Sequence, residues 1–122
     1  EAIEATALQI NGGTFNITAS DDGINATQTS AAYSTKVEIN GGELTLTIGQ
    51  GDTDGIDSNG NIYVNGGTIN VTGNSTFDYD GTAIYNGGTI IVNGSETNTI
   101  PQSMMGGGGA MGGQRGGRNM GN

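Results

Sequence analysis

All seven aspartates of this chain fall in three short turn segments: Asp21-Asp22, then Asp52, Asp54 and Asp57, then Asp78 and Asp80. If those turns stack on one another, Asp22, Asp54 and Asp80 gather on one edge. Like charges held that close are costly unless something neutralises them. A hard cation does so. Calcium takes about six to eight oxygens from carboxylates, amide side chains, main-chain carbonyls and water, and the run GDTDGIDSNGN offers Asp52, Asp54, Asp57, Asn59 and Asn61 together. An EF-hand beginning at Asp52 fails, because Ile56 stands at a ligand position and the closing Glu is missing. The competing reading is that these are solvated turn residues, as Asp-Gly commonly is. Clustering at stackable positions favours the cation. The candidate calcium ligands are therefore Asp21, Asp22, Asp52, Asp54, Asp57, Asn59, Asp78 and Asp80.

A second chemistry is available to the aromatic residues. Tyr63 points outward between Ile62 and Val64 if that segment is a strand, Phe77 and Tyr79 flank Asp78, and Tyr33 lies on a loop. Aromatic faces near carboxylates and a cation suit stacking on sugar rings, so Tyr33, Tyr63, Phe77 and Tyr79 are the candidate carbohydrate-binding residues. Catalysis has little support. The chain has no cysteine and no histidine, which removes thiol and imidazole nucleophile systems and the usual zinc ligands. The only cation before the tail is Lys36, and pairs of carboxylates are too easily found in so acidic a chain to mark a glycosidase.

These residues need a scaffold, and the scaffold is a repeat. Asn-Gly-Gly recurs at Asn11, Asn40, Asn65 and Asn86, at spacings of 29, 25 and 21 residues, the range of solenoid coils. An alternating strand follows each corner, with Phe15, Leu44, Ile69 and Ile90 forming one apolar column and Ile17, Leu46, Val71 and Val92 the next. Before each corner, Leu8, Val37, Ile62 and Ala83 give a third column, and Ile10, Ile39, Val64 and Tyr85 a fourth. In the last copy a one-residue slip would exchange Tyr85 for Ile84. A third segment follows each acidic turn: Glu1-Ala2-Ile3, Asp22-Gly23-Ile24, Asp54-Gly55-Ile56 and a worn Asp80-Gly81-Thr82. Three short extended pieces per coil, meeting at glycine corners, predict a parallel β-helix of about four coils without helices. The corner asparagines suit left-handed backbone geometry and predict an internal ladder of stacked amides.

Residues 1–100 form the predicted solenoid domain, with Thr27 to Lys36 bulging as a loop. Residues 101–122 hold all four methionines and nine glycines, the composition of a flexible tail or linker. The body carries twelve acids against one cation, which disfavours nucleic acid and anionic membrane as partners and favours multivalent cations or basic ones. No apolar run reaches the length of a membrane span. The chain begins with Glu1, within a repeat, as a mature or excised piece would.

The segments SDDGINAT, TDGIDSNGNIYVNGGTINVTG and INGGTFNITASDDG resemble secreted bacterial carbohydrate-binding domain-containing proteins. The resemblance covers roughly residues 1 to 100 and implies a right-handed parallel β-helix related in shape to pectate lyases. It implies binding to plant cell-wall polysaccharides, notably acidic pectic ones and cellulose, with calcium held by Asp21, Asp22, Asp54, Asp57 and Asp80, and an extracellular or cell-surface location. The chain is far shorter than that family's usual solenoid. The rival expectation is structural: two uncapped strand edges that pair head to tail into a filament. Ice binding by threonine rows is weaker, since the outward rows mix Thr with Asn, Glu and Ile.

Overall fold

The computed structural model describes residues 1–29, 31–49 and 53–102. Asp52 and residues 103–122 of the expected tail lie outside the described residues. The fold is a β-solenoid with no helix among the described residues. Its first coil is β1 (Ile3–Ala5), β2 (Ala7–Ile10) and β3 (Thr14–Ala19), and its second is β4 (Ile24–Ala26), β5 (Lys36–Ile39) and β6 (Glu43–Ile48). The third is β7 (Asp54–Ser58), β8 (Asn61–Val64) and β9 (Thr68–Thr72), and the fourth is β10 (Ser75–Tyr79), β11 (Ala83–Tyr85) and β12 (Thr89–Val92). Equivalent strands stack in parallel into three sheets, β1-β4-β7-β10, β2-β5-β8-β11 and β3-β6-β9-β12. The path from the first level to the fourth makes about three turns.

The four expected columns are present in register. Phe15 lies beside Leu44, Leu44 beside Ile69, and Ile69 beside Ile90, while Leu8, Val37, Ile62 and Ala83 form their own file. Tyr85 stands next to Val64 and packs on the core, leaving Ile84 outside. At the inner levels Val37, Ile39, Leu46, Ile62, Val64, Ile69 and Val71 are fully buried. Few apolar residues suffice because each level covers the next.

The corner asparagines form the predicted ladder. Asn40 donates from Nδ2 to Asn11 Oδ1 at 2.8 Å, Asn65 to Asn40 at 2.8 Å, and Asn86 to Asn65 at 2.7 Å. The ladder runs along the surface of the corner and is not internal. At each corner the second glycine takes a left-handed backbone, as at Gly67 with φ 86°, which a side chain would strain. In the acidic turns glycine is required by closeness instead: a Cβ on Gly55 would strike Val71 Cγ1 and meet the Thr76 carbonyl oxygen at 2.7 Å.

Three expectations change. The fourth member of the acidic-turn file is Ser75-Thr76-Phe77, in place of Asp80-Gly81-Thr82, because Phe77 fills the buried position next to Ile56 that Thr82 has no apolar bulk to fill. Asp80-Gly81 forms the following corner, where the Gly81 N–H donates to the Gly60 carbonyl at 2.8 Å. Lys36 opens β5 and does not belong to the bulge. One end of the solenoid is covered: β13 (Ser95–Thr97) folds back antiparallel on β12, Ile100 is buried, and Gln102 Nε2 donates to the Tyr79 carbonyl. Head-to-tail pairing through that end requires β13 to leave. At the other end β1, β2 and β3 are edge strands.

Candidate functional site

The register of the first sheet reveals a four-residue pattern. Glu1-Ala2-Ile3-Glu4, Asp22-Gly23-Ile24-Asn25, Asp54-Gly55-Ile56-Asp57 and Ser75-Thr76-Phe77-Asp78 lie one above another, with Ile3, Ile24, Ile56 and Phe77 pointing into the core. Position one of the pattern files Glu1, Asp22, Asp54 and Ser75. Position four files Glu4, Asn25, Asp57 and Asp78. Neutral Asn25 and Ser75 interrupt what would otherwise be two unbroken carboxylate stacks.

Oxygens of Asp22, Asp54 and Asp57 all lie within 4.8 Å of one another, and so do those of Glu1, Asp21 and Asp22. The two trios share Asp22, so the acidic groups form one connected cluster. Asp22 is buried; its Oδ1 accepts the Asp54 N–H at 2.7 Å. The Ser75 hydroxyl donates to Asp54 Oδ1. Asn25 is 9% exposed, its Nδ2 donates to Glu1 Oε2 at 3.4 Å, and its buried Oδ1 has no partner. An unpaired buried acceptor is costly. It stands in register with Asp57 and is a neutral oxygen of the kind hard cations accept. These groups have the donor set to hold a metal ion.

Burial pushes the Asp57 carboxyl up to about 7, with further help from the charges of Asp22, Asp54 and Asp78 and from a hydrogen bond in which Asp57 keeps the proton shared with Asp22. Burial also raises Asp22, opposed by the Asp54 N–H. The folded protein therefore holds a proton that an unfolded aspartate releases near 3.8. The contribution of Asp57 to stability is full below about pH 4 and falls as pH rises to about 7. Urea midpoints measured in chelator across that range are expected to show this fall, and Asp57→Asn to flatten it.

The remaining acidic candidates sit elsewhere. Asp78 is half-buried in the Asp57 file. Asp80 belongs to neither trio; its Oδ2 accepts from Asn59 Nδ2 at 3.3 Å at the corner between two sheets. Asn25 and Glu1 were not among the sequence-derived ligands. The signal for Asn25 was its offset of three from Asp22, matching Asp57 after Asp54.

The aromatic candidates divide into two pairs. Phe77 is 0% exposed and belongs to the core, and Tyr79, two residues on, is half-buried against it. Alternation turns both inward, so Phe77 presents no face to a sugar, while Tyr79 keeps only part of its ring exposed. Burial raises the Tyr79 phenol, as does the nearby Asp78 charge. Tyr63 does face outward, and its hydroxyl accepts from Asn61 Nδ2 at 2.8 Å. Tyr33, 66% exposed, joins it in a groove of about 670 Å³ on the outer face of the second sheet. No member of the acidic trios lines this groove.

Searches of curated proteins and of solved structures returned no match. The family described as carbohydrate-binding domain-containing protein matches residues 1–103, the whole solenoid. With a repeat scaffold, a cluster of carboxylates and a groove lined by two tyrosines in place, the chain belongs to the carbohydrate-binding domain-containing protein family.

Proposed function

We infer that this protein is an extracellular, calcium-dependent carbohydrate-binding module for acidic polysaccharide, acting by binding and not by catalysis. The observation that carries this reading is the convergence of Asp22, Asp54 and Asp57 oxygens within 4.8 Å of one another, with the buried, unpaired Asn25 Oδ1 on the residue in register with Asp57. The cluster has more oxygen donors than it can keep ionised. Asp22, Asp54, Asp57 and Asn25 would hold calcium through their side-chain oxygens, with Asp57 giving up its proton, and the bound ion would supply a positive centre for sugar carboxylates and hydroxyls. A partly solvated site of this kind suits the weak calcium affinities of extracellular modules, about 10⁻⁴ to 10⁻³ M.

The net charge makes the metal necessary to this reading. A polyuronate approaching a body with twelve acids is repelled, and a bridging cation reverses the sign of the contact. Calcium affinity is also expected to weaken below about pH 7, as protons compete for Asp57. Native electrophoresis through gels containing polygalacturonate tests the proposal. The protein is expected to be retarded with calcium and to run freely with chelator. Equal mobility in both gels overturns it.

A further inference from the structure

We propose that the groove on the outer face of β2-β5-β8-β11 is covered by the chain's own C-terminal segment, with Met104 and Met105 seated against Tyr33, Tyr63 and Ile84. This contact needs neither metal nor saccharide. Tyr33 and Ile84 are the large hydrophobic residues exposed among the described residues, and both line the groove of about 670 Å³ together with Tyr63. Apolar surface gathered in one concave place marks a contact site. The charges beside it are already engaged. Lys36 Nζ lies 2.8 Å from Glu38 Oε1, and Glu38 also accepts from Gln9 and Asn40. The groove therefore suits an apolar, uncharged occupant.

The course of the chain brings such an occupant close. After β13 the chain leaves the third sheet, buries Ile100, and sets Gln102 Nε2 on the Tyr79 carbonyl. Tyr79 closes β10 and Ala83 opens β11, so Gln102 sits at the corner between the first and second sheets, next to the strand that carries Ile84. Tyr79 and Ile84 are five residues apart, at most about 17 Å of extended chain, and the corner shortens that. Met105 is three residues past Gln102, about 10 Å of backbone before its side chain is added. Tyr63 is the in-register neighbour of Ile84, one strand spacing of about 4.8 Å away. Met104 and Met105 thus reach this end of the groove with few residues to order.

The residues past Gln102 have matching chemistry. All four methionines lie there, Met104, Met105, Met111 and Met120, with two arginines and no acid. Methionine is unbranched and polarisable, fills irregular apolar gaps, and makes favourable sulfur contacts with aromatic rings. Arg115 and Arg118 give the segment the opposite sign to a body with twelve acids and one lysine, which favours keeping it on the surface. Asn65 and Asn86 each spend one amide N–H on the ladder and retain a second for main-chain carbonyls of the segment. The groove is also held ready. The Thr29 N–H donates to Thr6 Oγ1 at 3.1 Å, the Asn61 N–H to the Thr35 carbonyl at 3.2 Å, and Asn61 Nδ2 to the Tyr63 hydroxyl at 2.8 Å. Little ordering of the walls opposes docking. A second copy carries the same methionines, but on one chain they meet the groove at an effective concentration on the order of mM, far above that of another copy at micromolar protein.

NMR of the full chain labelled at its methionine methyls, in chelator and without saccharide, tests the proposal, because every signal then comes from beyond Gln102. Met104→Leu and Met105→Leu assign the two signals of interest. Both are expected upfield of their positions in a free peptide of residues 102–122, displaced by the tyrosine rings, with nuclear Overhauser contacts to the Tyr63 ring and the Ile84 methyls. Tyr63→Ala, and separately Tyr33→Ala at its exposed position, are expected to return both signals toward the free-peptide positions. Tenfold dilution should leave them unmoved. Three results overturn the docking. One is free-peptide positions for all four methyls in the wild type. Another is displaced signals indifferent to both tyrosine variants, which puts the methionines elsewhere on the solenoid. The third is contacts that fade on dilution and connect labelled with unlabelled copies in a mixed sample, which gives the groove to a second copy.

Discussion

Calcium in about hundredfold excess over its dissociation constant is expected to raise the melting temperature of the chelator-treated protein by about 10 °C. Saturation to that degree adds about 2.7 kcal/mol to the folded state, and a domain of this size gains roughly 4 °C per kcal/mol. The gain has a specific origin. Asp22, Asp54 and Asp57 hold their oxygens within 4.8 Å of one another, and burial together with this crowding pushes the Asp57 carboxyl up to about 7. Without metal, Asp57→Asn relieves the repulsion and is expected to raise stability at pH 8 by about 1 kcal/mol, a modest figure because the carboxyl is partly solvated. The same variant should lose most of the calcium-induced shift. Magnesium, which demands tighter geometry and dehydrates reluctantly, should shift the wild type much less. A wild-type melting temperature indifferent to calcium would leave these aspartates as plain turn formers.

Phe77→Ala is expected to cost about 3–5 kcal/mol, read as a lowered urea midpoint, because it empties a fully buried position beside Ile56. Domains of this kind hold only about 5–15 kcal/mol in total, so the variant stands near the limit of folding. Tyr63→Ala, on the outer face, should cost about 1 kcal/mol or less. The comparison decides how the third acidic turn works. If Phe77 were a sugar platform, its loss would leave stability alone and weaken ligand binding. As a core residue it does the reverse.

The contrast between Phe77 and Tyr63 shows what is legible in such a chain. Tyr63 sits inside a clean apolar alternation between Ile62 and Val64, so period two assigns its face without any knowledge of neighbours. The Asn-Gly-Gly corners are as readable, because left-handed glycines and stackable amides recur at each turn. Phe77 lies in Ser75-Thr76-Phe77, which shares no residue type with Asp-Gly-Ile and matches it only by its place in the stack. Only the pairing of β10 with β7 shows that a bulky apolar side chain is needed there, and that the later Asp80-Gly81 is a corner. Asn25 was hidden for a different reason. In a chain rich in asparagine, an offset of three from Asp22 does not stand out until neighbours bury the residue and leave Oδ1 unpaired. The groove depends on where the second coil's extra residues fold back, which no local pattern encodes. The covered end likewise depends on a reversal at Asn93-Gly94, both in left-handed geometry, whose direction the strand pattern does not specify.

The most direct test of calcium-bridged carbohydrate binding is calorimetric titration of the protein with short oligogalacturonates, in calcium and in chelator, each corrected for heat from calcium and sugar alone. The account predicts saturable heat in calcium, none in chelator, and loss of the calcium-dependent heat in an Asp22→Asn, Asp57→Asn double variant. Equal heat in calcium and chelator, or undiminished calcium-dependent heat in the double variant, would contradict it.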